Sequence, residues 1–229
     1  MNSVRENITR IKDRISEAAG RAGRNPAAVR LMAVTKTVED DRIQAAIEAG
    51  ITLMGENYVQ EAKRKIELMG KDVQWHMIGH LQSNKAKYAV RLFDMIHSVD
   101  SLDLARELDR RSREAGRVID VLLEVNLSGE ESKSGCSPDE AFNLAVGCSG
   151  FPNLALKGLM TMPPWCEDPE AARPYFRKLC ELKERINGKK LPGIALNELS
   201  MGMSGDYEVA VSEGATIIRI GTAIFGPRR

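Results

Sequence analysis

The chain has 229 residues, with 33 Lys and Arg against 32 Asp and Glu, for a formal net charge of +1. That length holds one large domain or two small ones, and 43% apolar with 28% charged residues is the ordinary mix of a soluble globular protein. The near-neutral balance excludes a broad electrostatic grip on nucleic acid or anionic lipid; no apolar run reaches the roughly 18 residues of a membrane span, and the N-terminal MNSVRENITRIKDRI lacks the apolar core of a secretory signal.

The chain opens on a helical pattern. Val4, Ile8, Ile11 and Ile15 recur at three- and four-residue steps, and Gly20 and Gly23 follow. Short apolar runs then alternate with longer amphipathic ones. The first predicted strand is Val29–Thr37, followed by a helix over Asp40–Ala49 that ends at Gly50. The second strand is Thr52–Asn57, with a helix over Tyr58–Met69 ending at Gly70. Val73–Gly79 precedes a helix over Ser83–Phe93, and Met95–Asp100 precedes one over Leu102–Ala115. The fifth strand, Val118–Leu127, leads to a helix over Asp139–Val146, announced by Ser137-Pro138 as N-cap and first-turn proline. Leu154–Met162 pairs with a helix over Pro169–Ile186, Asn197–Gly202 with one over Asp206–Glu213, and Thr216–Gly221 closes the series.

Eight strands therefore alternate with helices. Such alternation implies a parallel sheet with right-handed crossovers. Eight units in a chain near the typical ~250 residues predict an α/β fold, a single-domain (β/α)8 TIM barrel over residues 1–229 with an extra N-terminal helix. The competing architecture is an open doubly wound sheet. The count of eight, and the lack of a GxGxxG after the first strand, favour the barrel.

Cys136, Cys148, Cys166 and Cys180 form no CxxC pair, and histidine is limited to His76, His80 and His97. No metal site or thiol-redox centre is expected. Four scattered cysteines suit a reducing cytoplasm.

Chemistry in a TIM barrel gathers at the C-terminal ends of the strands, and strand residues alternate faces with period two. The first strand puts Met32, Val34 and Lys36 on one face; the third puts His76 with Ile78. The fifth carries Glu124 and Asn126 on one face, with Val121, Leu123 and Val125 on the other. The eighth carries Ile217, Arg219 and Gly221, with Ile218 and Ile220 opposite. The apolar sets suit the layer under the helices, so the polar sets point into the barrel mouth.

Lys36 ends the apolar run LMAVT. Its structural reading is a lysine that snorkels to solvent from a strand end. Its functional reading is an amine in a partly dry pocket, where burial penalises the charged form and a neutral amine attacks an aldehyde. Arg219 lies between isoleucines. It is either a structural partner of an acid such as Glu124 or a fixed cation facing a ligand. The loops after strands seven and eight, SMGMSGD (200–206) and RIGTAIFG (219–226), bear glycines and hydroxyls. Phosphate sites in this fold are often built from those two loops. A phosphate across the mouth from a strand-one lysine, with Arg219 between, describes a small phosphorylated aldehyde held at both ends. Pyridoxal 5′-phosphate (PLP) fits that description.

The motifs AVTKT (33–37), MGENYVQE (54–61), WHMIGHLQSNK (75–85), VNLSGEESKSG (125–135), GLMTM (158–162), LSMGMSGDYEVAV (199–211) and IRIGTAIFG (218–226) span nearly the whole chain. Together they closely resemble the pyridoxal phosphate homeostasis proteins, single-domain relatives of the alanine racemase barrel. The resemblance implies that Lys36 carries PLP as a covalent Schiff base. It implies that Ser200, Gly202, Gly221 and Thr222 hold the phosphate, with Met201 among the cofactor-contacting residues, and that Arg219 faces the pyridine nitrogen. Asn57 and His76 match family positions near the ring. MGEN departs from the commoner FGEN, and GHLQ from GPLQ or GRLQ, away from the expected contacts. The SKSG turn (132–135) matches without an assignable contact and reads as a solvated turn.

The expected function is a PLP carrier that buffers or delivers the cofactor in intracellular PLP homeostasis, without catalytic residues of its own. The alternative is a compact PLP-dependent amino-acid racemase. Racemisation needs bases on both faces of the cofactor, and racemase relatives take the second, a Tyr, from a further domain of a partner subunit. The chain ends at Arg229, just past strand eight, with no length for that domain. Tyr58, Tyr88, Tyr175 and Tyr207 all fall in helical patterns. A Schiff-base aldolase and a pure partner-binding module are further rivals. Expected partners are PLP itself and apo forms of PLP-dependent enzymes as recipients, with no nucleic acid and no membrane, for a cytoplasmic monomer.

Overall fold

The computed structural model describes residues 3–70, 72–130 and 133–227. Each predicted strand run forms a strand: β1 (Arg30–Val34), β2 (Leu53–Glu56), β3 (Gln74–Met77), β4 (Met95–Val99), β5 (Ile119–Glu124), β6 (Leu154–Met160), β7 (Glu198–Ser200) and β8 (Ile217–Ile220). Every neighbouring pair is parallel, and β1 also pairs with β8, so the sheet closes into the expected eight-stranded barrel. Around it run α2 (Asp40–Glu48), α3 (Val59–Met69), α4 (Ala86–Leu92), α5 (Leu102–Glu114), α6 (Pro138–Cys148), α7 (Arg173–Asn187) and α8 (Tyr207–Ser212). They are preceded by α1 (Val4–Arg21) and followed by the single turn α9 (Thr222–Phe225).

Period-two alternation divides the core in two. Met32, Leu53, Ile78, Met95, Leu122, Met160 and Ile217 fill the barrel interior, with Val34 packed against them. The intervening residues, among them Ala33, Met54, Trp75, Val121, Leu123, Ile218 and Ile220, join the layer beneath the helices. The faces predicted for β1, β5 and β8 are therefore the faces observed. Two irregularities adjust the ring. Between β5 and β6 the register steps from Val121↔Leu156 to Leu122↔Gly158, which leaves Lys157 as an extra residue. A further shift falls between Ile96 and Val99 on β4.

The N-terminal helix is part of the shell. Ser3 and Glu6 form a capping box at its start. Its apolar stripe, Ile8, Ile11, Ile15, Ala18 and Ala19, is buried, and each such isoleucine contributes about 2 kcal/mol by leaving water. Asn7 Nδ2 donates to the carbonyl oxygen of Ile224 at 2.9 Å, which ties α1 to α9.

Strand ends differ from the sequence reading. β1 stops at Val34 rather than Thr37, because residues 35–38 form a turn closed by Val38 N–H to Thr35 O at 3.0 Å. The predicted helices at 83–93 and 169–186 each begin as a short 3-10 turn, Ser83–Lys85 and Pro169–Ala172. Among the described residues no helix is long and apolar enough to cross a membrane.

Candidate functional site

Lys36 sits in the turn that follows β1, half-buried at the C-terminal end of the barrel. Thr37, the next residue, has φ 59°, in the left-handed region that a β-branched residue seldom adopts. A cleft of about 650 Å³ opens beside the turn, lined by Lys36, Thr37, Arg42, Gly221, Thr222 and Phe225 among others. Lys36 and the Gly221-Thr222 step thus share one cavity, although 185 positions separate Lys36 from Gly221 (221 minus 36). The loops after β7 and β8 are joined where Ala223 N–H donates to Ser204 Oγ at 3.2 Å.

Behind the cleft a chain of buried polar groups crosses the barrel. Arg219 Nη1 donates to Ser200 Oγ at 2.8 Å, and its Nη2 donates to the Thr161 carbonyl oxygen at 2.9 Å. Ser200 Oγ lies 2.9 Å from His97 Nδ1, and His97 Nε2 lies 2.9 Å from His76 Nδ1. Arginine can only donate, so Ser200 Oγ accepts from it, and the hydroxyl hydrogen has His97 Nδ1 as its acceptor. His97 then carries its proton on Nε2 and donates to His76 Nδ1, which leaves the His76 proton on Nε2. In this arrangement each contact between Arg219, Ser200, His97 and His76 pairs one hydrogen with one acceptor, and the His76 Nε2–H is left over at the end of the chain.

The charges follow from burial. Burial lowers the His76 pKa to about 3, with the Arg30 charge acting in the same sense. His97 is held well below the usual imidazole range by burial, then by His76, Arg219 and Arg30. Both rings are neutral at physiological pH. Burial lowers Arg219 to about 10, opposed by Glu124 and Asp206, so it remains a cation. Among the described residues no carboxylate lies within ion-pair reach of Arg219. Its fork is held by a hydroxyl and a carbonyl instead.

Glu124 ends β5 on the interior face and is 3% exposed. Burial pushes its carboxyl up to about 7; the Asp100 charge adds to this and Arg219 opposes it. Its Oε2 is buried with no hydrogen-bond partner among the described residues, and so is Asn57 Oδ1 at the end of β2. Asn126 differs from expectation. Its Oδ1 accepts from Ser128 Oγ at 2.9 Å and from the Ser128 and Gly129 amides, and its Nδ2 donates to Glu130 O at 2.9 Å. It organises its own loop instead of facing the mouth. Ser132 of the SKSG turn lies outside the described residues.

The residues expected at a phosphate separate into two groups. Gly221 and Thr222 line the cleft with Lys36. Ser200 and Met201 are fully buried, and the Ser200 hydroxyl belongs to the interior chain. Gly202 has φ 92°, and a Cβ there would lie 2.6 Å from Ala210 Cβ on α8, so packing alone requires glycine. Among the described residues no group of three or more His, Cys, Asp or Glu is placed to hold a metal ion.

The model of the alanine racemase N-terminal domain matches residues 5–229. A pyridoxal phosphate homeostasis protein of Aquifex aeolicus is 45% identical over 98% of this chain and 98% of its own. The chain belongs to the pyridoxal phosphate homeostasis protein family. Two solved structures share its shape. A crystal structure of a protein from Bifidobacterium adolescentis is 41% identical, with a TM-score of 0.92 over 97% of this chain and 94% of that one. The structure of PipY from Synechococcus elongatus with PLP bound is 38% identical, with a TM-score of 0.83 over 93% of this chain and 100% of PipY.

Within this family member, His97, which joins His76 to Ser200, is not among the expected site residues. Its signal lies in the alternation: His97 stands two residues after Met95 and so on the same inward face of β4. Lys65 is not among them either. That lysine is fully buried on α3, next to Ile66 on the apolar stripe with Val59 and Ala62.

Proposed function

We propose that this chain binds PLP through a Schiff base on Lys36 and serves as a reversible carrier and buffer of that cofactor. The observation that carries the reading is the shared cleft of Lys36 with Gly221 and Thr222. It offers an amine for the aldehyde and a glycine-threonine turn for the phosphate, within one cavity. The PLP-bound structure of PipY, a relative at 38% identity, supports it. So do the homeostasis proteins that match over nearly full length.

Of the residues expected at the group, Lys36, Gly221 and Thr222 line the cleft, whereas Arg219, Asn57 and His76 do not and would meet the ring from the barrel interior. Arg219 stays charged and faces the interior, and a cation there disfavours a proton on a pyridine nitrogen. Glu124 Oε2 and Asn57 Oδ1 are buried oxygens without a partner among the described residues; a ring's phenolic O–H would give its hydrogen to one of them, and Glu124, when protonated, would itself donate to a ring acceptor. His76 offers an Nε2–H. Bound PLP supplies an electrophilic aldehyde and an electron sink. A deprotonated Lys36 amine would take up the aldehyde with loss of one water. Hydrolysis would reverse that step, whereas transfer to another amine would join the incoming nitrogen to the same carbon and release the Lys36 amine. Apo PLP-dependent enzymes are the proposed recipients, and the proposed setting is the cytoplasm, where the four free thiols stay reduced.

A carrier is preferred to a racemase because no tyrosine is evident as a second base. Tyr207 is buried in the helical layer under Arg14, Tyr175 is half-buried on α7 in the outer shell, and Tyr58 and Tyr88 are exposed by more than half. The test is the absorption spectrum of the purified protein with PLP, followed by borohydride reduction and peptide mapping. A Schiff-base band that is absent in Lys36→Ala, with the label on Lys36, is expected. A label elsewhere, or none, overturns the reading. Rapid Cα deuterium uptake by an amino acid, dependent on Lys36, would favour the racemase.

A further inference from the structure

The backbone on either side of Lys36 is tied to a second lysine. Lys65 lies on α3 with its side chain fully buried. Its ammonium donates to Thr35 O at 2.5 Å, Glu56 Oε1 at 2.7 Å and Glu61 Oε1 at 2.7 Å. Three donors meet three acceptors, the full capacity of an ammonium. Glu61 Oε1 also accepts the Thr37 N–H at 2.7 Å. Thr35 Oγ1 donates to Glu56 Oε1 at 2.5 Å. The residue before Lys36 and the residue after it are therefore both held by one buried cluster.

A buried ion pair is by itself poor evidence of a stabilising role, since desolvation offsets the attraction and an apolar pair often serves as well. What distinguishes this one is where its bonds go. They end on the carbonyl of Thr35 and the amide of Thr37. Thr37 stands at φ 59°, a conformation that persists in a β-branched residue only when its surroundings impose it. The Glu61 carboxylate imposes it from outside the turn. With residues 35 and 37 held, the direction in which Lys36 leaves the backbone is set.

We propose that Lys65 and Glu61 are positioning residues for Lys36: they fix the turn over residues 35–38 so that the Lys36 amine is presented to the cleft. This rests on the reading of Lys36 as the carrier amine. It adds that the reactivity of that amine is controlled from a helix on the far side of the strand.

The experiment uses two ligands on the full chain. PLP forms the covalent link; pyridoxine 5′-phosphate carries an alcohol in place of the aldehyde and binds without it. Glu61→Ala removes the acceptor of the Thr37 amide, while Lys65 keeps Glu56 and Thr35. Glu61→Gln restores a carbonyl acceptor. Glu61→Ala is expected to weaken PLP binding about tenfold or more, the size of one lost charge-assisted hydrogen bond, and to slow borohydride-trappable labelling of Lys36. Its affinity for pyridoxine 5′-phosphate stays within about twofold of the parent, and Glu61→Gln recovers most of the PLP loss. Equal losses for both ligands, or no loss for either, overturn the positioning role. Failure of the parent chain to trap PLP on Lys36 overturns the carrier reading instead, so the two failures are told apart. Lys65→Met, provided its circular dichroism matches the parent, is expected to show the same split between ligands; an equal loss for both counts against the proposal.

Discussion

Arg219 and Ser200 meet across the β7–β8 seam, where the guanidinium Nη1 donates to the hydroxyl oxygen at 2.8 Å and the hydroxyl stands 2.9 Å from His97 Nδ1. One oxygen thus joins a buried cation to a neutral imidazole. Ser200→Ala strips both of a partner without opening room for water. Each unpaired buried group costs about 1–3 kcal/mol, so the variant is expected to lose about 3 kcal/mol in urea unfolding. A loss below about 1 kcal/mol would contradict the hydrogen-bond chain.

Glu124 sets a pH dependence. Burial raises its carboxyl to about 7 in the fold, against an ordinary value of 4.5. Between those values the folded state binds more protons than the unfolded chain, so this group's contribution is fully present below pH 4.5 and fades as pH rises to 7. The loss amounts to about 3 kcal/mol. Glu124→Gln keeps the shape and removes the ionisation. It is expected to match the parent near pH 4 and to exceed it at pH 8, read from urea midpoints at the two pH values.

The histidines oppose this trend. His76, lowered to about 3, contributes stability that is complete above its ordinary value of 6.5 and is lost as pH falls toward 3. Nitrogen-15 chemical shifts at pH 5 are expected to show His76 and His97 both neutral, each with its proton on Nε2. A charged ring, or a proton on Nδ1 of either, would overturn the tautomer assignment.

At Gly158 the limit is steric. A Cβ there would lie 1.9 Å from the carbonyl oxygen of Glu198, on the neighbouring strand. Gly158→Ala must part β6 from β7 and is expected to cost several kcal/mol, roughly 4 or more, or to leave the chain insoluble. Gly20, near the end of α1, has nothing within 4 Å of a Cβ. Gly20→Ala is expected to raise stability by about 0.5–1 kcal/mol, which serves as a control when both variants are unfolded in urea.

The barrel was legible because period-two alternation is a local property. Met32, Val34 and Lys36 could be put on one face, and Ile217 with Arg219 on another, without knowing the neighbours. The ends of strands were less legible. Thr35, Lys36 and Thr37 continue the alternation in sequence while the backbone turns, closed by Val38 N–H to Thr35 O and bonded at Thr37 N–H to Glu61, a residue 24 positions on. Lys65 was illegible for a related reason. A lysine on a helical stripe reads as a snorkelling side chain until the carboxylate of Glu56 on β2 is seen beside it. The link from His97 to Ser200 joins residues 103 positions apart and exists only through the register of the closed ring. Asn126 had the right face for the mouth, yet its short amide is taken up by the amides two and three residues on.

The seam between β1 and β8 has a consequence for folding. Arg30 to Ala33 take their second neighbour from Ile217 to Ile220, and Asn7 waits for Ile224, 217 positions downstream. The first segments of the chain are thus completed by the last. Until the segment 217–224 has joined them, the outer edge of the first strand and the Asn7 amide keep their bonding capacity unused, so closure of the ring depends on segments about two hundred positions apart.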